Sequence, residues 1–138
     1  MATNMLNQCS RIDPRWIPNL LARGTYTLIK ANLTNSPSER TFLYDNAYRI
    51  YDDVLKASKG KNMFAVLGKA RVCLRRKKYK QALELYQEVL AKRPDMEPDP
   101  RIGIGLCLWH LDHRDHAKLA WERALAIVSC IKSHRKHR

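Results

Sequence analysis

Ala47, Ala82 and Ala117 stand 35 residues apart, each followed four positions on by an aromatic ring (Tyr51, Tyr86, Trp121) and seven on by a small apolar side chain (Val54, Val89, Ala124). Apolar positions at 0, +4 and +7 mark one face of a helix. Recurrence of that face at such a period marks stacked helical units that bury themselves against their neighbours. The clearest unit predicts one helix through MFAVLGKARVCL, a basic turn RRKK, and a second helix through YKQALELYQEVLAKR that Pro94 halts. In the second helix Ala82, Leu83, Tyr86, Val89 and Leu90 make one apolar stripe. Ala70 stands 12 residues before Ala82, and Gly105 stands 12 before Ala117. A small residue in each helix at that spacing lets two antiparallel axes approach closely.

The next unit predicts a helix through RIGIGLCLWHL, opened by Asp99 as N-cap with Pro100 at the first helical position, and a second from about Asp115 to Ile127. The preceding unit sets a helix around WIPNLLARGTYTLIKA against one around DNAYRIYDDVLKA. Their connection, NLTNSPSER, reads as a longer polar surface loop containing Pro37. Ala2, Leu6, Cys9 and Pro14 repeat the relative spacing of Ala82, Tyr86, Val89 and Pro94. The expected fold is therefore all-α, an α-solenoid of antiparallel helix pairs. It comprises a half unit over 1–14, units over about 15–59, 60–94 and 98–128, and a basic disordered tail over 129–138. Ala47, Tyr51, Ala70, Ala82, Tyr86, Gly105, Ala117 and Trp121 are its packing positions. A start in mid-unit and an end without a polar capping helix read as a fragment of a longer array.

The chain has 138 residues, 45% of them hydrophobic, which is enough for one domain; no linker divides it. The stretch Ile102 to Leu111 is too short to span a bilayer, and MATNMLNQCS lacks the pattern of a signal peptide, so no membrane partner is expected. Cys9, Cys73, Cys107 and Cys130 form no CxxC pair and read as free thiols, mostly buried, in a reducing compartment. The net charge of +13 is concentrated in the stretch from Lys69 to Lys80 and in the tail from Lys132 to Arg138. The basic patch Arg75, Arg76, Lys77, Lys78 and Lys80 has three readings: a solvated helix end, a nuclear localisation signal or a phosphate contact.

Paired helices with small residues at the crossing, an aromatic ring four after the second and a terminal proline resemble the tetratricopeptide repeat. SRIDPRWIPNLLARG, KGKNMFAVLGKAR, YKQALELYQEVLAKRPD and AKLAWERAL further resemble the fungal form of the largest, tetratricopeptide subunit of the RNA polymerase-associated-factor elongation complex, across residues 2 to 127. This resemblance implies a right-handed superhelix and a nuclear, non-enzymatic scaffold. Its partners would be protein subunits of a transcription elongation complex and, through that complex, RNA polymerase II or chromatin. Its role would be elongation and co-transcriptional histone modification.

The inner face of such an array is lined by the first helix of each pair, which makes Leu67, Arg71, Leu74, Arg75, Ile102, Leu106 and Trp109 the candidate partner-binding groove. Leu67, Leu74 and Trp109 have a second reading as core between units. A partner segment with acidic and aliphatic residues suits this mixture; the Lys and Asn clamp of chaperone-type arrays is missing, since Leu67, Arg71, Ile102 and Leu106 occupy those positions. His110, His113 and His116 straddle a turn and are not expected to converge on a metal. The glycines at 103 and 105 lack the dinucleotide spacing, and Gly105 reads as a close helix contact. Glu84 and Glu88 lie four apart, with Glu88 and Lys92 an ordinary surface pair, so no catalytic constellation, cofactor or small-molecule partner is expected. The alternative function is single-stranded RNA binding of the pentatricopeptide kind, which also uses 35-residue helix pairs. It needs polar base-reading residues where MFAVLGKAR and RIGIGLCLW offer mostly apolar ones.

Overall fold

The computed structural model describes residues 16–136, so the half unit expected over 1–14 lies outside the described residues. Among the described residues six helices follow one another: α1 (Ile17–Leu33), α2 (Pro37–Ala57), α3 (Met63–Arg75), α4 (Tyr79–Lys92), α5 (Pro100–His110) and α6 (Arg114–Lys136). Each packs on the next, and in addition α1 touches α3 and α3 touches α5. Among the described residues the backbones of α2, α4 and α6 do not come together, although the Gln81 side chain of α4 donates to the Tyr48 hydroxyl of α2 at 3.4 Å. The odd-numbered helices therefore form a contiguous inner row and the even-numbered ones a splayed outer row. This is the layering of a curved all-α solenoid.

The rings of the repeat hold the units together. Ala47, Ala82 and Ala117 are fully buried, as is Ala70, while Tyr51 and Tyr86 are 2% and 4% exposed. Tyr51 lies between units: a Cβ built on Gly68 of α3 would clash with the edge of its ring, and one on Gly24 of α1 would come within 3.0 Å of it. Its hydroxyl is hydrogen-bonded to Thr25 at 3.0 Å. Tyr86 meets Gly103 of α5 in the same way, and Gly68 and Gly103 are again 35 residues apart. Only a residue without a side chain leaves room for a ring edge at these points. The half-buried Trp121 lies against Gly105 of its own pair, with its Nε1–H directed to the Ile102 carbonyl at 3.3 Å.

The helix ends follow local chemistry. Asp99 accepts from the Arg101 N–H at 2.9 Å, and Asn62 accepts from the Ala65 N–H at 3.2 Å. α2, α3 and α5 end alike, each with a left-handed residue (Lys59, Lys77, Asp112). At each end one N–H reaches back five residues to a carbonyl: Gly60 to Leu55 at 2.7 Å, Lys78 to Cys73 at 2.9 Å and His113 to Leu108 at 2.8 Å. These bonds satisfy carbonyls that the helix leaves open at its end.

Two expectations are corrected. NLTNSPSER is not a long loop: α1 runs to Leu33 and α2 starts at Pro37, leaving only Thr34, Asn35 and Ser36 between them. Proline breaks a helix interior but suits its first position, where its missing N–H has no intrahelical partner to lose. The tail from 129 does not depart from helix, because α6 continues through SCIKSHRK to Lys136. That segment has no glycine or proline to stop it, and cations near a helix C-terminus interact favourably with its dipole.

Candidate partner-binding groove

The inner row forms one wall of a hollow of about 490 Å³ between α3 and α5. α3 supplies Leu67, Arg71, Leu74 and Arg75, and α5 supplies Ile102, Gly103, Leu106 and His110; Lys77 and Tyr79 close the end at the α3–α4 turn. Six of the seven residues expected to line the groove thus come together here. Their helical spacing explains this, because Leu67, Arg71, Leu74 and Arg75 share one face of α3, and Ile102 and Leu106 share one face of α5. Ile102 and Leu106 are 50% and 39% exposed, whereas Leu67 is 5% exposed and belongs mainly to the core beneath. Leu74 is half-buried against the same core. Trp109 is not in the hollow. It packs on Trp121, with ring centroids 5.7 Å apart, and lies under the Arg114 guanidinium at 4.9 Å, so its ring is claimed by α6.

A second hollow of about 650 Å³ continues this face toward α1, sharing Leu67, Arg71 and Pro98 with the first. Tyr26, Ile29 and Phe64 line it, and the latter two are 50% exposed. Sequence reasoning did not single out these residues. Phe64 stands three before Leu67, which extends the α3 stripe by one turn, and that spacing was the available signal. Glu97 and Pro98, from the connection between α4 and α5, form the far rim; Met96 beside them is 4% exposed and plugs the core.

The cations fall into two groups. Arg76 is paired with Asp45, and Lys69 with Asp52 at 3.2 Å; both join α3 or its end to α2 of the preceding pair. Burial works against the Lys69 charge, but hydrogen bonds to Asp52 and Tyr48 outweigh it and raise its pKa. The Lys69 hydrogen bond is the main cause holding the Asp52 carboxyl below its ordinary value. Arg71 and Arg75 are exposed along the hollow, and Lys77, Lys78 and Lys80 are exposed at the turn. Burial pushes the Tyr86 hydroxyl beneath the hollow up to about 12, and Arg71 and Arg75 pull against that rise.

The remaining candidates are dispersed. His110 stacks on Tyr79 at 4.4 Å, while His113 meets His116 edge-on at 6.2 Å. Among the described residues no group of three potential metal ligands converges. Glu88 pairs with Lys92 at 3.2 Å. Cys73 and Cys107 are buried free thiols and Cys130 is exposed; Cys9 lies outside the described residues. No described helix is long and apolar enough to cross a membrane.

No family model matches the chain. It is 41% identical over 118 residues to tetratricopeptide repeat protein 1 of Schizosaccharomyces pombe, an alignment covering 86% of this chain and 11% of that protein. It is 33% identical over 122 residues to RNA polymerase-associated protein CTR9 of Saccharomyces cerevisiae, covering 83% and 11%. It is 31% identical over 126 residues to the protein CTR9 homolog of Arabidopsis thaliana, covering 91% and 10%. The chain spans about a tenth of the length of these curated relatives.

Proposed function

Because this chain is a tetratricopeptide-type helical-repeat chain similar to the CTR9 proteins, we propose that it is a non-enzymatic, nuclear scaffold for subunits of a transcription elongation complex. Through that complex it reaches RNA polymerase II and chromatin, supporting elongation and co-transcriptional histone modification. The observation that carries the reading is the inner face: exposed Phe64, Ile102 and Leu106 beside exposed Arg71 and Arg75, on a row of helices held in fixed register. An aliphatic and acidic protein segment complements that surface. The RNA-reading alternative needs polar groups at the recurrent inner-row positions, and Phe64, Leu67, Ile102 and Leu106 stand there instead.

The test is co-purification from nuclear extract at moderate salt, with the chain and its Ile102→Asp/Leu106→Glu variant as parallel baits. Both positions are exposed, so the variant folds normally by circular dichroism and loses the polymerase-complex subunits that the unsubstituted chain retains. Retention of single-stranded RNA with a steep salt dependence and no protein partner overturns the proposal.

A further inference from the structure

We infer that the turn-side end of the groove binds a phosphoryl group carried on a side chain of the partner segment, a deepening that rests on the scaffold reading above. Arg71, Arg75 and Lys77 line one hollow, and among the described residues none of them has a carboxylate partner. Asp99 lies on the same wall but is held by Arg101, whose guanidinium approaches it at 3.1 Å and whose N–H it also accepts at 2.9 Å. The hollow thus holds an excess of positive charge that nothing inside it balances.

The ring and amide groups fit the same ligand. Tyr79 and His110 stack at 4.4 Å with an interplanar angle of 5°, which fixes both rings as the wall at the mouth. Asn32 also lines it; its Oδ1 already accepts from the Tyr44 hydroxyl at 2.9 Å, which leaves its NH₂ to donate. A phosphate monoester brings nearly two negative charges and three acceptor oxygens, against one charge and two oxygens for a carboxylate. Three acceptor oxygens give the two guanidinium forks and the ammonium a partner each and the phosphoryl charge offsets most of theirs, whereas a carboxylate leaves about two of the three positive charges unbalanced. A nucleic acid backbone is a poorer fit. It needs charge spread along a track, whereas the inner row beyond this hollow presents Phe64, Tyr26 and Ile29.

The experiment is an NMR titration of the ¹⁵N-labelled full chain with N-acetyl-phosphoserine amide, acetate or a single-stranded oligothymidylate at matched ionic strength. The expected result is saturable shifts of the Arg71 and Arg75 Nε–H signals, with half-saturation by the phosphoserine probe at least about tenfold below that of acetate. Arg75→Gln weakens the phosphoserine response, while Lys80→Gln, which lies outside the hollow, leaves it unchanged. Equal half-saturation by acetate, or an unchanged response in Arg75→Gln, overturns the phosphoryl assignment while leaving the co-purification result standing. So does an oligonucleotide that displaces the phosphoserine probe and spreads its shifts to Lys78 and Lys80. Loss of co-purification, by contrast, removes the scaffold reading and this inference together.

Discussion

Replacing Gly68 by alanine isolates the ring-and-notch joint between units. In an exposed helix interior this change is stabilising by roughly 1 kcal/mol, because alanine is the better helix former. Here the new methyl group clashes with the ring edge of Tyr51. The ring cannot retreat: Gly24 stands behind it, so close that a Cβ there would come within 3.0 Å, and Thr25 holds its hydroxyl at 3.0 Å. Relief must come from separating α3 from α2 and α1, and overpacking of this kind costs about 1–3 kcal/mol. With the contact at the upper end of that range, the propensity gain leaves a net destabilisation of about 1–2 kcal/mol, or a few degrees in melting temperature. The assay is urea denaturation followed by circular dichroism, run as a double-mutant cycle with Tyr51→Leu. Shrinking the ring makes room for the methyl, so the two substitutions together cost at least about 1 kcal/mol less than the sum of their separate effects. A Gly68→Ala variant more stable than the parent, or strict additivity with Tyr51→Leu, refutes the reasoning.

Three further outcomes follow from the same geometry. Gly105→Ala costs less than Gly68→Ala in the same assay, because the half-buried Trp121 ring opposite can swing outward. Asp52 has a folded-state pKa below its ordinary 3.8, so its pairing with Lys69 is fully present above the unfolded value and is lost as pH falls through the folded one. Between about pH 6 and about pH 3 the parent therefore loses more urea stability than Asp52→Asn, by less than about 1 kcal/mol since the carboxylate is 40% exposed. Thiol labelling in a Cys9→Ser background modifies exposed Cys130 rapidly and reaches Cys73 and Cys107 only on unfolding; both are buried, with the Cys107 thiol pushed up to about 11 by burial and, to a lesser extent, by Cys73.

The alanine and ring positions made the stack legible because burial between repeating units requires the same residue sizes at the same intervals. Pro37 was misleading for a physical reason: proline is a breaker inside a helix and an opener at its first position, and composition does not separate the two. Trp109 shows a different limit. Its spacing from Ile102 and Leu106 puts it on the groove face, but the indole and guanidinium of α6 take it, and the competition between two neighbours for one ring is not written in either helix alone. The notch at Gly103 was legible only as a small residue. That it receives Tyr86 from the preceding pair required the relative placement of α4 and α5.

The unequal packing of the two rows gives the array a direction of easy bending. On the inner side α1, α3 and α5 already touch, and the glycine notches leave no slack for them to close further. On the outer side the backbones of α2, α4 and α6 stand apart, with the exposed Gln81 side chain reaching Tyr48 at 3.4 Å, so straightening has room before these helices pack. The array thus behaves as a one-way spring, which flattens under a partner's pull more readily than it curls, and the width of its groove has a firm lower stop and a soft upper one.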